Sequence, residues 1–191
     1  HIMENVEATA TKNIFTTKQM VLIGVVTAIT CILAPMSVPL PITPVPISLT
    51  NLVLYVSVFL LGWKSATVSY IVYLLIGFAG LPVFSGFTGG LAKLAGPTGG
   101  YLIGMIFIAI FSGYAVEKGN GKRWIAVIGM VFGTIIDYVL GTFWLSKLMH
   151  TTFAAALSAG VLPFIPGDLL KIVAALILGP LLRSRVNRIA D

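Results

Sequence analysis

The stretch FIPGDLLKIVAALILGPLL, residues 164–182, sets Asp168 and Lys171 at the mouth of an otherwise uncharged apolar run. Three residues apart, the two charges share one face of a helix. Charged side chains are costly in hydrocarbon, and inside spans they mark substrate or ion pathways. A second stretch, LAKLAGPTGGYLIG at residues 91–104, repeats the pattern, with Lys93 in a glycine-rich loop just ahead of another apolar run.

The rest of the chain explains why these charges stand out. Of 191 residues, 58% are apolar and only 9% are charged, whereas soluble domains carry roughly a quarter charged residues. The chain therefore reads as an all-α integral membrane protein, long enough for about five to seven spans. The net charge of +6 does not indicate nucleic acid, because the basic residues sit at the ends of apolar runs, where they set topology. The single cysteine, Cys31, excludes a disulfide within the chain and reads as a packing residue. His1-Ile2-Met3 resembles a tag remnant before a native start. Residues 1–17 are accordingly assigned to that remnant and a polar N-terminal tail without signal-peptide character, and residues 18–191 to a single six-helix transmembrane substrate-binding domain.

Six apolar segments are legible, at about residues 18–34, 47–61, 65–80, 99–116, 124–149 and 168–182. Between the first two lie Pro35, Pro39, Pro41, Pro44 and Pro46, which exclude a regular helix and predict a stiff, extended connector. Lys12, Lys18, Lys64, Lys118, Lys122, Arg123, Arg183, Arg185 and Arg188 gather on one side, against Lys93, Lys147 and Lys171 on the other. The positive-inside bias puts the first group, with both termini, in the cytoplasm. The proline-rich loop, the Lys93 loop and the start of the last segment then lie outside.

Two outer connections, residues 81–100 and 151–168, are too apolar for ordinary surface loops. Irregular backbone at membrane depth persists only where protein buries it or a cavity hydrates it, so both read as walls of a pocket open to the outside. Asp168 and Lys171 are its first candidate ligands. The plainer alternatives are a helix N-cap for Asp168 and an ion pair or snorkelling for Lys171. Lys93, among glycines such as Gly90 whose N–H groups can form anion-binding nests, suits a carboxylate. Its alternative is a solvated loop lysine. Asp137, inside the fifth segment, is expected to face the bundle and pair with a hydroxyl or a lysine. Asn51 and Ser48 are within reach of the pocket, or serve as interhelical hydrogen bonds. Tyr73, Phe84, Tyr101 and Trp144 are candidates for apolar walls, or for packing and interface anchors. Gly24 and Ala28, four apart, form a small-residue face on the first helix. There is no P-loop, no HExxH, no Cys/His metal cluster, and no Ser or Cys beside a base. An enzyme is not expected, and neither is a cofactor.

The stretches YLLIGFAGLPVFSG (73–86), GGLAKLAGPTGGYLIG (89–104), GTFWL (141–145) and LPFIPGDLLK (162–171) together resemble the BioY family. Its members are biotin-specific S components of energy-coupling factor (ECF) transporters. The resemblance implies a bundle of six transmembrane helices in the cell membrane, with biotin bound near the outer face. It also implies an energizing module of a membrane scaffold protein and two cytoplasmic ATPases, docked on the small-residue face at Gly24 and Ala28. SLTNL stands where a glutamine-containing stretch is expected, leaving Thr50 or Asn51 to that polar role. The family pattern assigns no role to Asp137. On this reading Asp168 and Lys171 hold the ureido ring, Lys93 and nearby glycine N–H groups including Gly90 hold the carboxylate, and Phe84, Tyr73 and Trp144 wall the thioether, with head and tail open to reversal. The alternatives are solitary import without ATP, the same fold serving another vitamin, and an intramembrane enzyme using Asp137 and Asp168.

Overall fold

The computed structural model describes residues 14–190. The expected tag remnant, Lys12 and the rest of residues 1–13, and Asp191, lie outside the described residues. Among the described residues seven helices follow in order: α1 (Thr17–Leu33), α2 (Thr50–Phe78), α3 (Leu91–Ala95), α4 (Gly99–Lys118), α5 (Arg123–Leu148), α6 (Phe153–Gly160) and α7 (Ile165–Ala190). Among the described residues, β structure is limited to two isolated bridges. The helices α2, α4, α5 and α7 are long and apolar enough to cross a membrane, and α1 is a shorter apolar helix.

The second and third apolar segments are joined more tightly than expected. Only Gly62, at φ 73° and ψ 176°, leaves helical geometry between them. Glycine alone adopts that backbone without strain, and the Glu117 carboxylate lies 3.0 Å from where a Cβ would stand. A straight helix would separate Thr50 from Tyr73 by about 35 Å. The two instead line one cavity, so the chain reverses at Gly62 and the arms of α2 run back along each other.

α4 and α5 make the closest helix pair. Gly129, Gly133, Asp137 and Gly141 recur every four residues on α5 and so form one stripe. A Cβ on Gly133 would stand 2.9 Å from the Ile108 Cα, and one on Gly129 would stand 2.7 Å from the Phe111 carbonyl oxygen. Backbones this close leave room for nothing larger than hydrogen, the same device that small-residue motifs use between membrane helices. Polar cross-links add to it. Tyr55 pairs with Thr134, Tyr70 donates to the Leu102 carbonyl at 2.6 Å, and Thr27 bonds Ser69 at 2.9 Å.

The loops at the other end from Gly62 are folded, not extended. Val38 and Ile47 exchange N–H···O bonds of 2.8 and 2.9 Å, which doubles the proline-rich segment back on itself. The prolines between them have no N–H to give, so pairing stops at that single bridge. Val45, at the inner side of this loop, is buried with Tyr101, Leu145, Ala156, Val161 and Phe164. The glycine-rich loop is anchored by Phe84, whose ring is fully buried and fills the space over Gly77 that a side chain there would take. Gly86 N–H donates to the Pro35 carbonyl at 3.0 Å, joining the two loops. The Ala-rich piece of the last loop is α6, started by Thr152 accepting from the Ala155 N–H.

Candidate functional site

The α7 helix begins three residues ahead of Asp168, at Ile165, so Asp168 is not the N-cap that the PGD sequence suggests. Its own N–H donates to the Phe164 carbonyl at 2.8 Å, and its side chain is released for other contacts. Asn51 Nδ2 donates to Asp168 Oδ1 at 2.7 Å and Lys171 Nζ to the same oxygen at 3.1 Å. The Tyr138 hydroxyl donates to Oδ2. Lys171 completes its shell with the Asn51 Oδ1 at 3.0 Å and the Ser48 carbonyl at 2.8 Å. Three helices therefore converge on one carboxylate: α2 through Asn51, α5 through Tyr138 and α7 through Lys171. Asp168 and Asn51 are each only 7% exposed. A charged pair this buried persists because its remaining donors and acceptors are satisfied.

The cluster forms one wall of a cavity of about 60 Å³, which Asp137, Tyr101, Met105, Val45 and Phe164 also line. A second cavity of about 50 Å³ abuts it across Val45, Pro46, Ser48, Tyr101 and Met105, and extends to Thr50, Tyr73, Ser85 and Thr98. Together they make an elongated space with an ion pair at one end and hydroxyl groups at the other, roofed by the proline-rich loop. The larger groove, about 350 Å³, lies apart from it. Leu94, Gly99, Gly100, Ile103, Leu140, Phe143 and Trp144 line that groove and supply no charge.

The expected site residues divide accordingly. Asp168, Lys171 and Asn51 meet directly, with Ser48 beside them, and Tyr73 and Tyr101 line the cavities. Lys93 stands one layer behind, its ammonium 3.2 Å from the Ser85 carbonyl, and partial burial lowers its pKa. Gly90, at φ 86°, precedes α3 and gives its N–H to the Gly77 carbonyl at 2.6 Å, not to an open nest. Phe84 packs edge-on against Tyr73 and Phe78, while Trp144 donates to the Gly96 carbonyl at 2.8 Å on the apolar groove. Gly24 and Ala28 are both exposed. Asp137 is buried and lines the cavity. The pairing expected for it is missing, as its Oδ1 has no partner among the described residues. Tyr138 is a residue the sequence reading missed. Its immediate neighbour Asp137 marks the region, but no spacing in the sequence ties Tyr138 to Asp168.

The BioY family profile matches residues 6–188. This chain belongs to the BioY family. The "Biotin transporter BioY" of Thermotoga maritima is 40% identical over 172 residues, which cover 90% of this chain and 99% of that protein. The "Probable biotin transporter BioY" of Pyrococcus horikoshii is 34% identical over 167 residues, covering 87% of this chain and 97% of that one. In a crystal structure at 2.1 Å, the "S-component for biotin from an ECF-type ABC transporter" superposes with a TM-score of 0.81 at 30% identity, covering 89% of this chain and 95% of that chain. These likenesses place this BioY member among multi-pass transport proteins and not among enzymes, so the carboxylate-pair reading of Asp137 and Asp168 has no support.

Proposed function

We infer that the chain captures biotin from the outer face of the cell membrane, as the substrate-binding subunit of an ATP-driven ECF transporter. The observation that carries this reading is the buried Asp168–Lys171–Asn51–Tyr138 cluster on the wall of an elongated cavity, in a chain whose relatives are named for biotin. Biotin brings a ureido head with two N–H donors and one carbonyl acceptor, an apolar middle and a carboxylate tail. The ion-pair end offers the ureido carbonyl the second N–H of the Asn51 amide, which Lys171 and Tyr138 hold in place through Asp168. Tyr73, Tyr101, Met105 and Val45 suit the apolar middle. At the far end Thr98, Ser85 and, behind it, Lys93 suit the carboxylate. No metal or cofactor enters this scheme.

Six membrane crossings are supported by α1, the two arms of α2, α4, α5 and α7. The positive residues Lys18 and Arg183 share a pocket with Leu60 and Leu61 beside Gly62, at the end opposite the Asp168 cluster, which supports cytoplasmic termini. The partner module is supported by the outward face at Gly24 and Ala28 and by the missing P-loop. Fluorescence or calorimetric titration of detergent-purified protein with biotin, beside Asp168→Asn, tests the site. Saturable wild-type binding weakened about 100-fold or more in the variant is expected, since removing a partner of a buried charge cluster carries a cost of that order. Equal binding by both proteins would remove Asp168 from the site.

A further inference from the structure

We propose that Asp137, to which the family resemblance gives no role, is a second ligand-binding carboxyl that accepts a ureido N–H of biotin and sharpens selection for an unsubstituted ureido ring. The inference rests on the biotin reading above. Asp168, the obvious acceptor, is largely engaged: its Oδ1 receives Asn51 and Lys171 and its Oδ2 receives Tyr138, which leaves one of about four acceptor sites. A ligand with two N–H donors therefore needs a further acceptor beyond Asp168. Asp137 lines the same cavity and is only 4% exposed. Its Oδ1 is fully enclosed without a hydrogen-bond partner among the described residues.

Leaving a buried acceptor unpaired is costly, and that cost is recovered when a donor arrives. The local packing makes room for the carboxyl. Asp137 falls in register with Gly129, Gly133 and Gly141, on the face of α5 turned to α4, where a Cβ on Gly104 would collide with its Oδ1 and no donor pairs with that oxygen among the described residues. Lys171 is held by Ser48, Asn51 and Asp168, and so is committed to the other carboxylate. One cavity therefore has two carboxyl groups in its lining, one largely engaged by the protein and one with no protein donor on its Oδ1 among the described residues.

The assignment sets affinity and stability in opposition. Asp137→Leu removes a buried group that the empty protein leaves unpaired, so ligand-free Asp137→Leu is expected to melt at or above wild type while binding biotin about 10- to 100-fold more weakly. Asp137→Asn keeps a carbonyl acceptor at the same place and should bind between the two. Two biotin analogues, each methylated on a different ureido nitrogen, complete the test by titration into wild type and both variants. One methyl should weaken wild-type binding yet cost Asp137→Leu nothing further, while the other weakens both proteins alike. Wild-type biotin affinity in a folded Asp137→Leu would overturn the assignment and leave the biotin reading intact. A loss of melting temperature and affinity together, with both methyl penalties unchanged in Asp137→Asn, would make Asp137 structural and equally overturn it. Failure of wild type to bind biotin at all would remove the biotin reading, and this assignment with it.

Discussion

Gly24 on α1 and Gly133 on α5 are the same residue in the same kind of helix, with opposite surroundings. A Cβ on Gly24 would meet nothing within 4 Å, whereas one on Gly133 would stand 2.9 Å from a backbone atom of α4. The contrast extends to their helices. α1 buries Ile23, Val26, Thr27 and Thr30 against α2 and turns Val21, Gly24, Val25, Ala28, Ile29 and Ile32 outward. α5 uses its small residues to close on α4 and thereby sets Asp137 and Tyr138 in place. Small residues spent inside the bundle build the site, and those left outside remain open to a neighbouring helix.

The strongest way to break this contrast is one substitution made at both positions. Gly133→Leu forces four carbons between the backbones of α4 and α5. It is expected to cost about 3 kcal/mol, read as a large fall in melting temperature, and to disable biotin binding with it. Undiminished stability would mean that α4 and α5 can separate without loss. Next in size, Thr27→Val deletes the link from α1 to Ser69. A single interhelical side-chain bond in a membrane is worth about 0.6 kcal/mol, so melting should fall slightly and biotin binding should be unchanged. A loss of affinity would show that α1 helps to shape the site. Smallest for the fold is Gly24→Leu, expected to leave stability within about 0.5 kcal/mol and biotin binding intact while abolishing uptake in cells that also supply the partner module. Unimpaired uptake by this variant would sever the Gly24 face from docking.

The sequence made some of this visible and concealed the rest for physical reasons. Apolar runs and their flanking charges are local signals, and the segments reappear in helical stretches within a few residues of their expected ends, except that α7 runs on to Ala190 past the expected end at Leu182. The reversal between the second and third was legible as GWK, though not its contraction to one residue, because the composition of a short loop does not say how many of its residues leave helical geometry. Asp168 and Lys171 were legible because charge in an apolar helix is rare whatever the fold. Tyr138 was not, because a tyrosine beside a carboxylate is a long-range event that no period encodes. The glycine stripe containing Asp137 was available at a spacing of four residues, GMVFGTIIDYVLG, and it explains why that carboxyl faces α4 and the cavity instead of a lysine. Phe84 and Trp144 failed to reach the cavities because each has another partner: the gap over Gly77 of α2 for Phe84, and the Gly96 carbonyl for Trp144 of α5.

The reversal at Gly62 also has a bearing on the lipid around the protein. The arms of α2, Thr50–Leu61 and Trp63–Phe78, are about 18 and 24 Å long, and α1 about 25 Å, against a hydrocarbon core of about 30 Å. α5 and α7, with 26 residues each, are about 39 Å. The flank formed by α1 and α2 is thus too short for the bilayer while α5 has length to spare, so lipid must thin beside α1 and α2 while α5 tilts. Bilayer thickness then becomes a control on the protein. In liposomes of increasing acyl-chain length its melting temperature should pass through a maximum on the thin side of the series and decline as the chains lengthen, and a flat profile would show that the lipid accommodates the short flank at no cost.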